Sequence, residues 1–283
     1  MKHKDIIAKI CAYHPPVDES ITCDGYKAGD PEDECTGVVT ALAPTMDVIR
    51  KTIELGANLL IVHEPIFYMT PDFPEWKTNF RNEVVDEKEK LIKEHHITIW
   101  RDHDRMHANV PDSIFSGVAW KLGWEEYQVQ SSTPCTFVYH VPETTVQEMK
   151  DFLEDRFHMN GLRYIGDPAH KISKIAIVGH LCPGLFMEEK VDENGHYHDY
   201  ATAIIKEMEE GRIDAVIPGE IVEWNVLSYI NDAVALGKNK ACFNVGHFNL
   251  EEPGMEYAAK WVRDLLPEDV KVHYVRVEDQ YRY

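Results

Sequence analysis

Three short stretches carry most of the chemistry this sequence offers. LLIVHEPIFY (59–68) delivers His63 and Glu64 directly after four apolar residues. ITIWRDHDRMH (97–107) runs into Asp102, His103, Asp104 and His107, and ACFNVGHFNLE (241–251) runs into His247 and Glu251. Each apolar run has the length and branching of a buried strand. In sheets of parallel strands the carboxyl ends gather at one edge, and ligands bind there. Imidazole and carboxylate together suit Zn, Fe, Mn or Ni. Five such ligands, His63, Glu64, His107, His247 and Glu251, exceed what one tetrahedral ion needs, and two ions sharing a carboxylate would use them. Taken singly, plainer readings stand beside this one. His63-Glu64 reads equally as a surface or capping pair, and His247 with Glu251, four apart, as a local charge pair at a helix start.

Further candidates surround these. His103 can serve as a ligand, a support for one, or a substrate contact. Asp102 and Asp104 can orient imidazoles through the second ring nitrogen, or be solvated loop charges. Glu220 in IPGEI follows a strand and can act as a general base or cap the helix that includes Trp224. His180 and Cys182 lie in VGHLCPG, where no triad pattern supports a cysteine nucleophile. His196 and His198 alternate with aromatics in HYHDY, which reads as an exposed loop.

The elements that position these groups alternate β and α. The opening, KHKDIIAKICAYHPP, reads as a short amphipathic helix stopped by Pro15 and Pro16, and DGYKAGDPEDECTG as a loop. Strand GVVTALAPT, helix MDVIRKTIELGA with Gly56 as its stop, and strand LLIV make a βαβ unit with parallel strands and a right-handed crossover. Helix NEVVDEKEKLIKEHH, strand ITIW and helix PDSIFSGVAWKLG complete a first lobe, and SSTPC (131–135) reads as a boundary. Strands TFVYHV, KIAIVG, DAVIPG, ACFNVG and VKVHYVRV then alternate with helices TTVQEMKDFLEDRF, YATAIIKEMEEG, EWNVLSYINDAVALG and GMEYAAKWVRDLL. The fold class is therefore α/β, with two similar lobes of mostly parallel central sheets flanked by helices and the metal site in the cleft between them. The first lobe is 1–130 and the second 131–283, whose final segment, 241–283, returns His247 and Glu251 to the site.

Composition excludes several function classes. A net charge of −20 from 49 acidic and 29 basic residues repels nucleic-acid backbone, while leaving room for a local basic pocket for a phosphate. No apolar run reaches the roughly 18 residues of a membrane span. The N-terminus lacks the apolar core of a signal peptide, so a cytoplasmic protein with no membrane partner is expected. Six scattered cysteines without a CxxC pair read as reduced thiols.

The same stretches carry a resemblance. LLIVHEP, HDRMH (103–107) and the intact GHFNLE (246–251) resemble, in order, the metal-ligand motifs of the NIF-three-like (Ngg-interacting factor three) proteins, the GTP cyclohydrolase 1 type 2 homologues. LRYIGDPAHKISKIAIVG and DAVIPGEI resemble flanking segments of that family, so the likeness spans nearly the whole chain. Two positions depart from the family pattern. Glu64 stands where the family has a second histidine, and His107 where it has an aspartate. The exchange conserves three imidazoles and two carboxylates. The resemblance implies two divalent metal ions held by His63, Glu64, His107, His247 and Glu251, with Glu251, His103 and Glu220 as catalytic candidates. It further implies a hydrolase that opens a cyclic C–N bond of a nucleotide-like or other small heterocyclic substrate, and a homohexamer. A non-catalytic metal scaffold or chaperone, a dinuclear phosphoesterase and a structural oligomer remain the alternatives.

Overall fold

The computed structural model describes residues 1–69, 72 and 74–282. The chain divides into two compact units, Met1–Val118 with Glu251–Glu278, and Ala119–Leu250 with Asp279–Tyr283.

In the first unit the strands run in the order Gly25–Ala28, Thr98–Arg101, Leu59–Val62, Val38–Ala41, Val272–Tyr274. All are parallel except the edge strand Gly25–Ala28. Every residue of the three central strands is buried, which is why they read as unbroken apolar runs rather than alternating ones. The crossover helix Met46–Glu54 starts where the Thr45 hydroxyl accepts the Val48 N–H, and it stops where Gly56 takes φ +67°. Helix Glu83–Glu94 is capped in the same way by Asn82. Both crossovers therefore deliver their strands with the carboxyl ends at one edge, and His63 and Asp102 follow directly.

In the second unit six strands run Gln128–Val129, Thr136–Thr145, Lys171–Leu181, Ala215–Ile221, Ala241–Asn244, Arg163–Ile165. Only the pairs among Lys171–Leu181, Ala215–Ile221 and Ala241–Asn244 are parallel. The other three pairs are antiparallel. Val138, Ala176, Val178, Ile204, Val216 and Ile230 are among the residues of its core.

The α/β class holds, and several finer expectations change. The second sheet is mixed, because hydrophobic pattern reports burial and not strand direction. The division falls at Val118, not near 130. Gln128 and Val129 pair with Tyr139 and Val138, and Trp124 stacks on Phe152, so these residues belong to the second unit. Segment 251–278 belongs to the first unit, since Val272–Tyr274 pairs with Val38–Thr40. The stretch read as a loop at DGYKAGD contains the edge strand Gly25–Ala28, too short and too polar to show a period. The last long helix is His247–Leu265 and begins well before GMEYAAKWVRDLL, carrying Pro253 inside it. The segment EWNVL opens as a π-helical turn, Glu223–Leu227, before helix Ser228–Ala235. Among the described residues no helix is long and apolar enough to cross a membrane, and no disulfide joins any of the six cysteines.

Candidate metal centre

Within the first unit, His63, His103 and His107 converge so that one ligand atom from each lies within 4.8 Å of the others, and His63, Glu64 and Glu251 do the same. His63 is fully buried, Glu64 is 7% exposed and Glu251 3%. His63 and Glu64 leave the end of strand Leu59–Val62. His103 precedes, and His107 lies on, the short helix Asp104–Ala108, which occupies the place of an expected loop. Glu251 lies in the first turns of helix His247–Leu265.

The outer hydrogen bonds decide which ring nitrogen each imidazole offers. His63 Nδ1–H donates to the Asp102 carbonyl at 3.1 Å. His107 Nδ1–H donates to Asp112 Oδ2 at 2.8 Å, and His103 Nδ1–H to Asp104 Oδ1 at 2.9 Å. A neutral imidazole with Nδ1 protonated keeps its lone pair on Nε2. The Nε2 atoms of His63 and His107 nevertheless face each other at 3.1 Å, and His63 Nε2 lies 3.4 Å from Glu251 Oε2. Two lone pairs repel at that distance unless a cation or a proton lies between them. This donor set of three oriented imidazoles with two buried carboxylates fits divalent metal ions.

The rings differ in charge: His103 is neutral, while His107 carries at neutral pH a proton that a metal ion would displace. Burial and the neighbouring His63 lower the His103 pKa to about 4, so its ring is neutral at physiological pH. Burial also pulls His107 down, but the hydrogen bond and charge of Asp112, with Glu251 and Glu64, outweigh it and hold the group at about 8.

The ligand-bearing turns are clamped from behind. Arg101, 1% exposed, donates Nε–H to the His63 carbonyl at 2.9 Å and pairs with Asp72 at 3.0 Å. Asp72 accepts the Ile66 N–H, and buried Lys88 donates to the Ile66 carbonyl at 2.5 Å. The Asp24 carboxylate gathers the N–H groups of His103, Asp104 and Arg105, the first turn of the short helix. Asp112 accepts from His107 with one oxygen and caps helix Ser113–Leu122 at Phe115 N with the other. Sequence reading misses Asp24, Arg101, Lys88 and Asp112 in these roles. The one legible signal is the aspartate at a helix start, five residues after His107.

Among the other candidates, Asp104 orients His103, whereas Asp102 reaches His63 through its carbonyl and gives its carboxylate to buried His14 at 3.2 Å. His247 and Glu220 belong to the second unit. Glu220 does not cap the following helical turn, whose N-cap is Val222; its oxygens lie 3.8 Å from His180 Nδ1 and 3.7 Å from His247 Nδ1. Burial pushes the Cys182 thiol above its ordinary pKa, which disfavours a nucleophile. His196 and His198 share Asp192 beside the hairpin Lys190–Val191 with Tyr197–His198.

Residues 1–192 match the family model Duf34/NIF3 (NGG1p interacting factor 3). The chain belongs to that family. Curated members named GTP cyclohydrolase 1 type 2 homolog agree along the length. The Clostridium acetobutylicum protein is 25% identical over 275 residues, covering 94% of this chain and 91% of the relative. The Clostridium perfringens protein is 26% identical over 278 residues, covering 96% and 95%. The fold is shared with solved structures of the family. Protein ybgI, of unknown function, gives a TM-score of 0.71 at 16% identity over 99% of this chain and all of its own. A Bacillus cereus protein related to NIF3 gives 0.70 at 15% identity, over 100% of this chain and 99% of its own.

Proposed function

We propose that this NIF3-family chain is a dinuclear-metal-dependent hydrolase that opens a cyclic C–N bond of a small, nucleotide-like heterocycle. The observation that carries the reading is the convergence of His63 Nε2 and His107 Nε2 at 3.1 Å, with both Nδ1 atoms committed to outer oxygens. The names of the relatives, GTP cyclohydrolase 1 type 2 homolog, supply the reaction class.

His63, Glu64, His107, His247 and Glu251 would hold two divalent ions of Zn, Fe, Mn or Ni. Such a pair supplies an acidified water at neutral pH and polarises the centre under attack. The chain's own groups handle the protons. His103, which burial keeps neutral, can contact substrate or the attacking water, and Glu220, flanked by His180 and His247, can receive or return a proton. The Asp102 carbonyl, Asp104 and Asp112 keep the imidazoles from rotating away from their task. The same reading has the protein act in the cytoplasm as a homohexamer on a small molecule, without nucleic acid or membrane.

The test is elemental analysis of untagged protein beside His107→Ala and His247→Ala, followed by a screen of cyclic C–N substrates. About two equivalents per subunit, reduced in both variants, together with metal-dependent ring opening, supports the proposal. Little metal after reconstitution with Zn, Mn, Fe or Ni leaves a scaffold in its place.

A further inference from the structure

The second unit contains a cavity of about 530 Å³ whose wall includes Arg163, Glu220, Asn244, His247, Phe248 and Tyr281. It opens beyond the carboxyl ends of the parallel strands Ala215–Ile221 and Ala241–Asn244, the edge at which open α/β sheets take ligands. The volume is that of a small-molecule site.

Arg163 and Asn244 are direct partners across the antiparallel pair of strands Arg163–Ile165 and Ala241–Asn244. Residues opposite one another in such a pair project from the same face. Here both line the cavity, and among the described residues neither side chain has an ion-pair or hydrogen-bond partner. The acids on the same wall are engaged. Glu220 faces His180 and His247, and Asp279, 4% exposed, accepts the N–H groups of Asn160 and Tyr281. An uncompensated guanidinium beside an open amide is therefore the polar feature of a concave wall, in a chain of net charge −20. The guanidinium fork matches a phosphate or carboxylate, and the amide adds a donor next to it. His247 lies on the same wall, so a molecule gripped at Arg163 can extend toward that histidine.

We infer that this cavity is the substrate pocket, and that Arg163 and Asn244 select a small molecule bearing a terminal phosphate or carboxylate. The inference rests on the proposed hydrolase reading for the role of the His247 end, but not for the grip itself. Its test is run on metal-stripped full-length protein, by calorimetric titration with matched pairs: GMP against guanosine for phosphate, and orotate against uracil for carboxylate.

The charged member of one pair is expected to bind about tenfold or more tighter than its uncharged counterpart, as charge-assisted hydrogen bonds require. Arg163→Met should erase the preference, and Arg163→Lys should keep part of it. The pair that shows the preference identifies the anion. Equal binding of charged and uncharged members, no binding by any of the four, or a preference that survives Arg163→Met overturns the inference. Should Arg163→Met fail to fold, the preference is read in Arg163→Lys and Asn244→Ala, and undiminished values in both overturn it. Metal content enters none of these readouts, so the metal centre and the anion grip fail separately.

Discussion

His63 and His107 bring their Nε2 atoms to 3.1 Å of each other while each Nδ1–H is held by an oxygen on the far side of the ring. The two rings are thus oriented toward a common point by groups that are not themselves ligands. Removing one of those groups should damage metal binding without touching a ligand.

Asp112→Asn tests this directly. Asparagine has one side-chain oxygen where Asp112 uses two, for His107 and for the helix cap at Phe115. Metal affinity is expected to fall by about 10–100-fold, as for other lost outer hydrogen bonds to a ligand histidine. Competition against a chromophoric chelator reads the change, and an unaltered affinity would show that His107 is held by packing alone.

Arg101→Met should unfold more easily. Arg101 is buried, pairs with Asp72 and holds the His63 carbonyl, so its loss strands a buried carboxylate. A cost of about 3 kcal/mol is expected, at the low end for a broken buried pair because Lys27 stays 3.3 Å from Asp72. Urea denaturation measures it.

Lys88 makes stability depend on alkaline pH. Burial lowers its pKa from 10.5 to about 8 in the folded chain. Between those values the unfolded state binds the extra proton, so folding stability should rise as pH goes from about 8 to 10.5. The gain approaches about 3 kcal/mol relative to Lys88→Met. A constant difference between the two proteins across this range would mean that the amine stays charged against the Ile66 carbonyl.

Gly117→Ala probes the helix crossing that seats Glu251. A Cβ on Gly117 would come within 2.6 Å of the Gly254 backbone, and one on Gly254 within 2.8 Å of the Ile114 backbone. Backbone cannot yield as a flexible side chain can, so the substitution is expected to cost about 1–3 kcal/mol. Bound metal should fall with it if the crossing sets the position of Glu251, and thermal unfolding with parallel metal analysis separates the two effects.

The sequence by itself determined the central strands, their crossover helices and the candidate ligands at the strand ends. Those features are local: unbroken apolar runs such as Leu59–Val62, the helix stop at Gly56, and His63-Glu64 following directly in the chain. Tertiary structure alone decided what lies far apart in sequence. The return of Glu251–Glu278 to the first unit depends on the pairing of Val272–Tyr274 with Val38–Thr40, and the mixed second sheet on strand directions that burial patterns do not encode. The acceptors of the imidazoles were decided there too. A carbonyl at Asp102 and a carboxylate at Asp112 carry no side-chain signature of that role, because a hydrogen bond is set by where the fold places its two ends.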